Sequence, residues 1–287
     1  MEVNFNILMG GITLGAIYSL LAVAFVMVMK ATDIVHFALG EFLMIATVIA
    51  LVLFEKLGIS LLLSSLIAIL FTGMIGFSTD RFVVRPLKDS PIVNVVFGTV
   101  AISIILQNAV LIFWRGDTAS FPSFFDRNPR MILGLRIVPE NLAVIAIAGL
   151  CVIILQLFFT KTRLGIAMRA VMIDRETASI MGVRVHNFIT LTFVVSAVLA
   201  AIAGLMVAPL IHVTYDMGTI LIKAFVAAVI GGLYSIPGAI YGSFLLGVME
   251  NFTTAYISSD YRDVIVYSLL ILGLLFKPSG LFKWGKG

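Results

Sequence analysis

SPIVNVVFGTVAISIILQNAVLIFW, residues Ser90 to Trp114, contains no charged side chain. As a helix rising 1.5 Å per residue, such a run covers the ~30 Å hydrocarbon core of a bilayer. It does not alternate apolar and polar residues, which excludes the strand of a membrane β-barrel. Four other blocks read the same way: Val3 to Met29, Leu57 to Thr79, Asn141 to Thr160 and Ala224 to Met249. Composition agrees, with 61% hydrophobic residues, 12% charged and a mean hydropathy of +1.15; a soluble domain carries about a quarter charged residues. The chain is therefore read as an all-α polytopic membrane protein, a single transmembrane domain over 1–287.

Spans are expected at about 7–29, 36–55, 60–80, 92–114, 140–160, 188–211, 219–236, 238–256 and 264–276. That gives about 8–9 transmembrane helices, according to how 219–256 is counted. There Gly231-Gly232 and Ser235-Ile236-Pro237-Gly238 break a spanning run into two short pieces, a broken or re-entrant pair. Breaks at membrane depth are tolerated only inside protein or beside a cavity. Gly11-x-x-x-Gly15 and Gly238-x-x-x-Gly242 have the spacing that lets helix backbones approach closely in lipid.

Between two of these spans lies a polar stretch, Lys161 to Asn187. It holds five basic residues (Lys161, Arg163, Arg169, Arg175, Arg184) and two acids (Asp174, Glu176). Asp174 is placed to cap a helix, its carboxylate accepting from an orphan backbone N–H. Glu176 falls in the first turn, where the helix dipole favours a negative charge. Gly182 can supply the left-handed residue that closes the far end. The reading is a short, self-capped helix, about Arg175 to Met181, exposed beyond the lipid. Glu176-Thr177-Ala178, followed after three residues by Gly182, resembles the EAA-type loop of ABC-importer permeases, with Thr177 in place of the first Ala. In that family the helix docks on the ATPase subunit. The resemblance implies a coupling surface of Arg169, Asp174, Arg175, Glu176, Thr177, Ala178, Met181 and Gly182. An amphipathic linker lying on the membrane surface is the other use of such a segment.

With this loop cytoplasmic, alternation of spans puts Lys30, Arg81, Arg85, Lys88, Lys277, Lys283 and Lys286 on the same side, as the positive-inside rule requires. The N-terminus is then outside and the C-terminus cytoplasmic. Arg115, Arg127, Arg130 and Arg136 fall on the other face, in a segment long enough to fold over it. The start, Met-Glu-Val-Asn, lacks a basic n-region and the run after it is too long for a signal peptide, so the first span is expected to be retained. The net charge of +4 belongs to loops facing a membrane surface and does not point to nucleic acid.

Few polar groups lie within the spans. Glu41 is costly there and is expected to turn inward or to be paired, either to a backbone group or Lys30 or along a substrate path. Gln107 and Asn108 need partners and are expected to face the bundle interior, as interhelical contacts or as steps on the path. Lys223 and Glu250 begin and end the broken region and could pair. Glu41, Gln107, Asn108 and Glu250 are thus the substrate-path candidates. His36, His186 and His212 are too scattered for a metal site, His36 reading as a satisfied interface residue; Cys151 sits alone in a span. No catalytic residue, metal or cofactor is expected. Gly280-x-x-x-x-Gly285-Lys286 imitates half of a phosphate-binding loop, but Gly287 stands where Ser or Thr is required.

Gly11 to Ala24 and Phe37-Ala-x-Gly40-Glu41 resemble the opening of the branched-chain amino acid ABC permease family (the LivH type). The likeness continues through Arg85-Pro86-Leu87, Leu106-Gln107-Asn108, Thr162-Arg-x-Gly165-x-Ala-Met-Arg169-Ala170 and Met181-Gly182. In the tail it includes Lys223-Ala-Phe225, Gly231-Gly232, Ser235-Ile-Pro-Gly-Ala239, Leu246-Gly247-x-x-Glu250 and Lys277-Pro-x-Gly-Leu281. Two departures bear on substrate preference. The family reads Asn-Phe-Ala-His-Gly-Glu where this chain has His36-Phe-Ala-Leu39-Gly-Glu41, and Lys30 occupies a neighbourhood usually uncharged.

The resemblance implies a permease subunit of an importer for branched-chain or related neutral amino acids in the bacterial inner membrane. Its implied partners are a second permease (paralogue or second copy), two cytoplasmic ABC ATPases, a periplasmic or extracellular substrate-binding protein, and membrane lipid. ATP hydrolysis then belongs to the partners, and 161–187 is the cytoplasmic coupling loop. The alternative is a stand-alone proton-coupled secondary transporter with Glu41 or Glu250 as the proton site. An intramembrane enzyme finds no nucleophile–base pair in the sequence to support it.

Overall fold

The computed structural model describes residues 2–114, 118–132, 135–276 and 280. Arg115, Lys277, Lys283, Lys286 and most of both tail motifs named above lie outside the described residues. In chain order the helices are α1 (Glu2–Thr32), α2 (Leu39–Leu57), α3 (Leu61–Thr79), α4 (Ile92–Trp114), α5 (Pro139–Lys161), α6 (Arg163–Ile173), α7 (Arg175–Ile180), α8 (Val185–Val207), α9 (Ile220–Gly231), α10 (Ile236–Tyr256) and α11 (Arg262–Phe276). Between α4 and α5 a hairpin of β1 (Arg130–Ile132) and β2 (Leu135–Ile137) pairs antiparallel, Arg130 opposite Ile137.

Five of the described helices are long and apolar enough to cross a membrane: α1, α3 extended by a π-turn to Val84, α4, α5 and α8. Helices α9 and α10 qualify only as a pair, bent by 117° at the break. The break has a local cause. Gly232 is left-handed at φ 118°, and the Ser235 hydroxyl accepts from the Gly238 N–H at 3.1 Å, starting α10 afresh with Pro237 in its first turn. Against the 8–9 spans expected, then, five helices and one bent pair qualify. Helix α2 carries Glu41, Glu55 and Lys56, and α11 has only 15 residues, about 22 Å.

By packing the chain divides into two compact units. The first comprises Met1–Val26, Pro122–Val152 and Ile222–Lys286. In it the Gly-x-x-x-Gly words mark helix contacts. A Cβ on Gly15 would stand 2.7 Å from the Phe244 Cα, and one on Gly11 2.7 Å from the Val248 Cα. Gly247 answers from α10, where a Cβ would lie 2.4 Å from the Gly15 nitrogen. Gly242 meets the Ala227 carbonyl in the same way, at 2.2 Å. Only backbones without side chains approach so closely. Glu140, buried at the start of α5, accepts from Ser123 at 2.7 Å and from Arg127 at 2.6 Å, which ties both residues to that helix.

The second unit comprises Met27–Phe121 and Ile153–Leu221. Its centre is the mutual packing of α2, α3 and α8. Gly76 of α3 rests on Phe193 and Ala197, and Gly204 of α8 on the Leu43 backbone, so the same small-residue rule applies. Phe42, Leu43, Met44 and Phe193 are fully buried there. His36 corrects an expectation: it packs edge-on between Phe42 and Phe193, and neither ring nitrogen has a hydrogen-bond partner among the described residues. Aromatic packing holds it.

Candidate functional site

Two helices project from the second unit where the polar loop was expected. Thr162 caps α6, its hydroxyl accepting from the Gly165 N–H at 2.9 Å. Gly165 lies so close to the Phe158 carbonyl that a Cβ would be 2.0 Å away, and this sets the tight turn out of α5. Asp174 then caps α7. Its Oδ1 accepts from the backbone N–H groups of Glu176 and Thr177 at 2.9 and 3.1 Å, and its Oδ2 accepts from the Thr177 hydroxyl. The hydroxyl and amide bonds from Thr177 hold the Asp174 carboxyl below its ordinary range. Thr177, a departure from the EAA pattern, thus reinforces the cap.

The far end closes as a Schellman motif. The Val183 N–H donates to Ala178 and the Gly182 N–H to Ser179, both at 3.0 Å, with Gly182 at φ 84°. The helix ends at Ile180, one residue before the expected end. Ala178 is buried, turned onto the unit, while Ile180 and Met181 are 85% and 78% exposed. Around Gly182 nothing lies within 4 Å of an added Cβ. Asp174, Glu176, Thr177 and Arg169 are exposed as well. Charged and apolar side chains are thus presented together on a capped helix end.

One residue of this site escaped the sequence reading. Asp33, left-handed at φ 56° just beyond α1, makes an ion pair with Arg175 and ties the end of α1 to α7. A lone Asp after a span gave no signal beyond its tolerance of that conformation.

The path candidates separate. Asn108 is exposed and its amide donates to the Ile104 carbonyl of its own helix at 2.7 Å; the expectation that it faces the bundle interior is corrected. Adjacent residues on a helix point about 100° apart, and Gln107 is half-buried. Glu41 is buried and accepts from the Ser103 hydroxyl at 3.1 Å rather than from Lys30 or a backbone group. In the first unit Glu250 is buried with two cations. Lys223 donates to its Oε1 at 2.6 Å, and Arg262 donates to the same oxygen. Lys223 also reaches Asp263 at 3.0 Å. The sequence suggested the Lys223 pair but not the part played by Arg262.

Over residues 7–274 the chain matches the family described as the permease component of branched-chain amino acid transport systems. It is 33% identical to the high-affinity branched-chain amino acid transport system permease protein BraD of Pseudomonas aeruginosa, covering 96% of this chain and 94% of that one. Identity is also 33% to the permease protein LivH of Salmonella typhimurium, over 94% and 92% of the two chains. Among solved structures, a chain of PsaBC from Streptococcus pneumoniae in complex with Fab shares the fold. The TM-score is 0.50 at 10% identity, over 94% of this chain and 91% of that one.

Proposed function

The chain belongs to the family of branched-chain amino acid transport permeases, and on that premise we propose that it is one of two permease subunits of an ABC importer for branched-chain or related neutral amino acids. The observation that carries the reading is the match over residues 7–274, together with a capped, exposed helix between spans. Two cytoplasmic ATPases and an external substrate-binding protein complete the assembly, and ATP is hydrolysed by the former. Helices α2 and α11 cross the bacterial inner membrane with the five longer spans, and α9–α10 forms the broken pair, giving the fuller count of 8–9. The N-terminus lies outside and the C-terminus in the cytoplasm.

In this reading α7 is the coupling element. Asp174 and Thr177 cap it, Ala178 anchors it, and Gly182 closes it so that Glu176, Met181 and the Arg169 side chain meet the ATPase. Arg175 passes displacement to the end of α1 through Asp33. Substrate-loaded receptor outside and ATP-driven closure inside bias the two access states, each through its differential affinity. Glu41 and Gln107 belong to the path, the exposed Asn108 faces the second permease, and Glu250 holds α9, α10 and α11 together. The test is purification of the chain with its candidate ATPases and second permease. Leucine-loaded binding protein should stimulate hydrolysis severalfold; equal hydrolysis with empty and loaded receptor would count against the proposal.

A further inference from the structure

Glu41 lies deep in the second unit. Ser103, its hydrogen-bond donor, is the central residue of α4, eleven positions from Ile92 and eleven from Trp114, about 16 Å from either end. The Glu41 side chain is buried, and its Oε2 has no hydrogen-bond partner among the described residues. A carboxylate at such depth with an unfilled acceptor is costly unless a cation or a proton meets it.

The surroundings are built around that oxygen. The turn Met217–Thr219, which starts α9, presses bare backbone on the carboxylate. A Cβ on Gly218 would stand 2.5 to 2.8 Å from its three terminal atoms. Gly40 is equally constrained, since its Cβ would lie 2.2 Å from the Gly218 carbonyl oxygen. On α4, Thr99, Ser103 and Gln107 follow one another at four-residue spacing and line one face. The Phe37 N–H donates to the Thr99 hydroxyl at 3.4 Å, Ser103 serves Glu41, and the half-buried Gln107 is the next step along. No group of three His, Cys, Asp or Glu side chains able to hold a metal ion occurs among the described residues.

We propose that Glu41, with Ser103 and Gln107, is the site at membrane depth that receives the α-ammonium of an amino acid in transit, and that the Met217–Thr219 turn closes it. The inference rests on the permease reading above. An ammonium brings three donors and no acceptor, which suits a free carboxylate oxygen, a hydroxyl and an amide oxygen. The aliphatic side chain of such a substrate requires only apolar walls.

The test uses the whole importer in proteoliposomes, with leucine moved per ATP hydrolysed as readout. Glu41→Gln keeps the shape and can still accept from Ser103, so a purely structural carboxyl tolerates it. The proposal expects the ratio to fall about tenfold or more, the worth of a charge-assisted hydrogen bond, with Glu41→Asp intermediate. A wild-type ratio in Glu41→Gln overturns it. A second arm avoids variants: the wild-type complex is labelled at buried carboxyls with a carbodiimide and mapped by mass spectrometry. Leucine should protect Glu41, whereas 4-methylpentanoate, the same skeleton without the ammonium, should not. Equal protection by both, protection by sodium or potassium ions, or none at all overturns the assignment. If the wild-type complex shows no receptor-stimulated hydrolysis, the permease reading itself has failed, and the labelling arm reports on Glu41 separately.

Discussion

Replacing Gly182 with valine tests the coupling helix where its geometry is simplest. Gly182 sits at φ 84°, and a Cβ added there would meet nothing within 4 Å. The cost is therefore conformational and not steric crowding. A residue with a Cβ loses about 1–2 kcal/mol in the left-handed region, and a β-branched one sits at the upper end. At 1.4 kcal/mol per tenfold, the closed helix end becomes roughly ten to thirty times less populated relative to the opened one. Helix α7 has only six residues, and its last bonds come from Gly182 and Val183. Opening that end displaces the exposed Met181, assigned to the ATPase, together with its exposed neighbour Ile180. Because the loop lies outside the lipid, membrane levels should stay near normal while receptor-stimulated hydrolysis and ATPase co-purification fall by about the same tenfold or more. Gly182→Asn, which tolerates the left-handed conformation, should retain most of both. Gly182→Val coupling hydrolysis to transport at the wild-type ratio would refute the reasoning.

In a Cys151→Ser background, cysteines at Ser179 and Ser120 should label from opposite faces, Ser179 only from the cytoplasm; labelling of both from outside would reverse the topology. Arg262→Met removes one of the two cations on the buried Glu250 and leaves Lys223, so the loss should stay below about 3–5 kcal/mol, the cost of a buried charge left with no partner. Its melting temperature in detergent should drop, and adding Glu250→Leu should recover part of the loss. Because bonds from Thr177 lower the Asp174 pKa in the folded loop, the cap is fully present above the ordinary aspartate range. It is lost as pH falls through that lowered value. Carboxyl carbon NMR should find Asp174 titrating below the ordinary aspartate range, and a Thr177→Ala variant should move it upward.

Much of the architecture was legible because charge is excluded from lipid: uncharged runs gave the long helices, and Gly-Gly with Ser-Ile-Pro-Gly gave the break between α9 and α10. The loop was legible because capping is local, so Asp174 and Gly182 could be placed from sequence alone. Facing directions were not. In helix α4 apolar residues surround the polar ones and the two amides are adjacent, so the sequence reading took Gln107 and Asn108 together, whereas Ser103 and Gln107 turn toward the packed side and Asn108 away. Pairings across long separations were hidden for the same reason. Ser103 with Glu41 and Arg175 with Asp33 join residues far apart in the chain that carry no shared pattern. Of the 8–9 spans expected, α2 and α11 fall outside the five helices and one bent pair that qualify by length and composition, because α2 carries Glu41, Glu55 and Lys56 and α11 has only 15 residues.

The most direct test of the permease assignment is leucine accumulation by proteoliposomes holding this chain, a second permease and two ATPases, with leucine-loaded binding protein outside and ATP inside. Uptake should require ATP, receptor and ATPases together, and should persist when a protonophore abolishes the proton gradient. Uptake by this chain alone that collapses with the protonophore would contradict the account and assign a proton-coupled transporter instead.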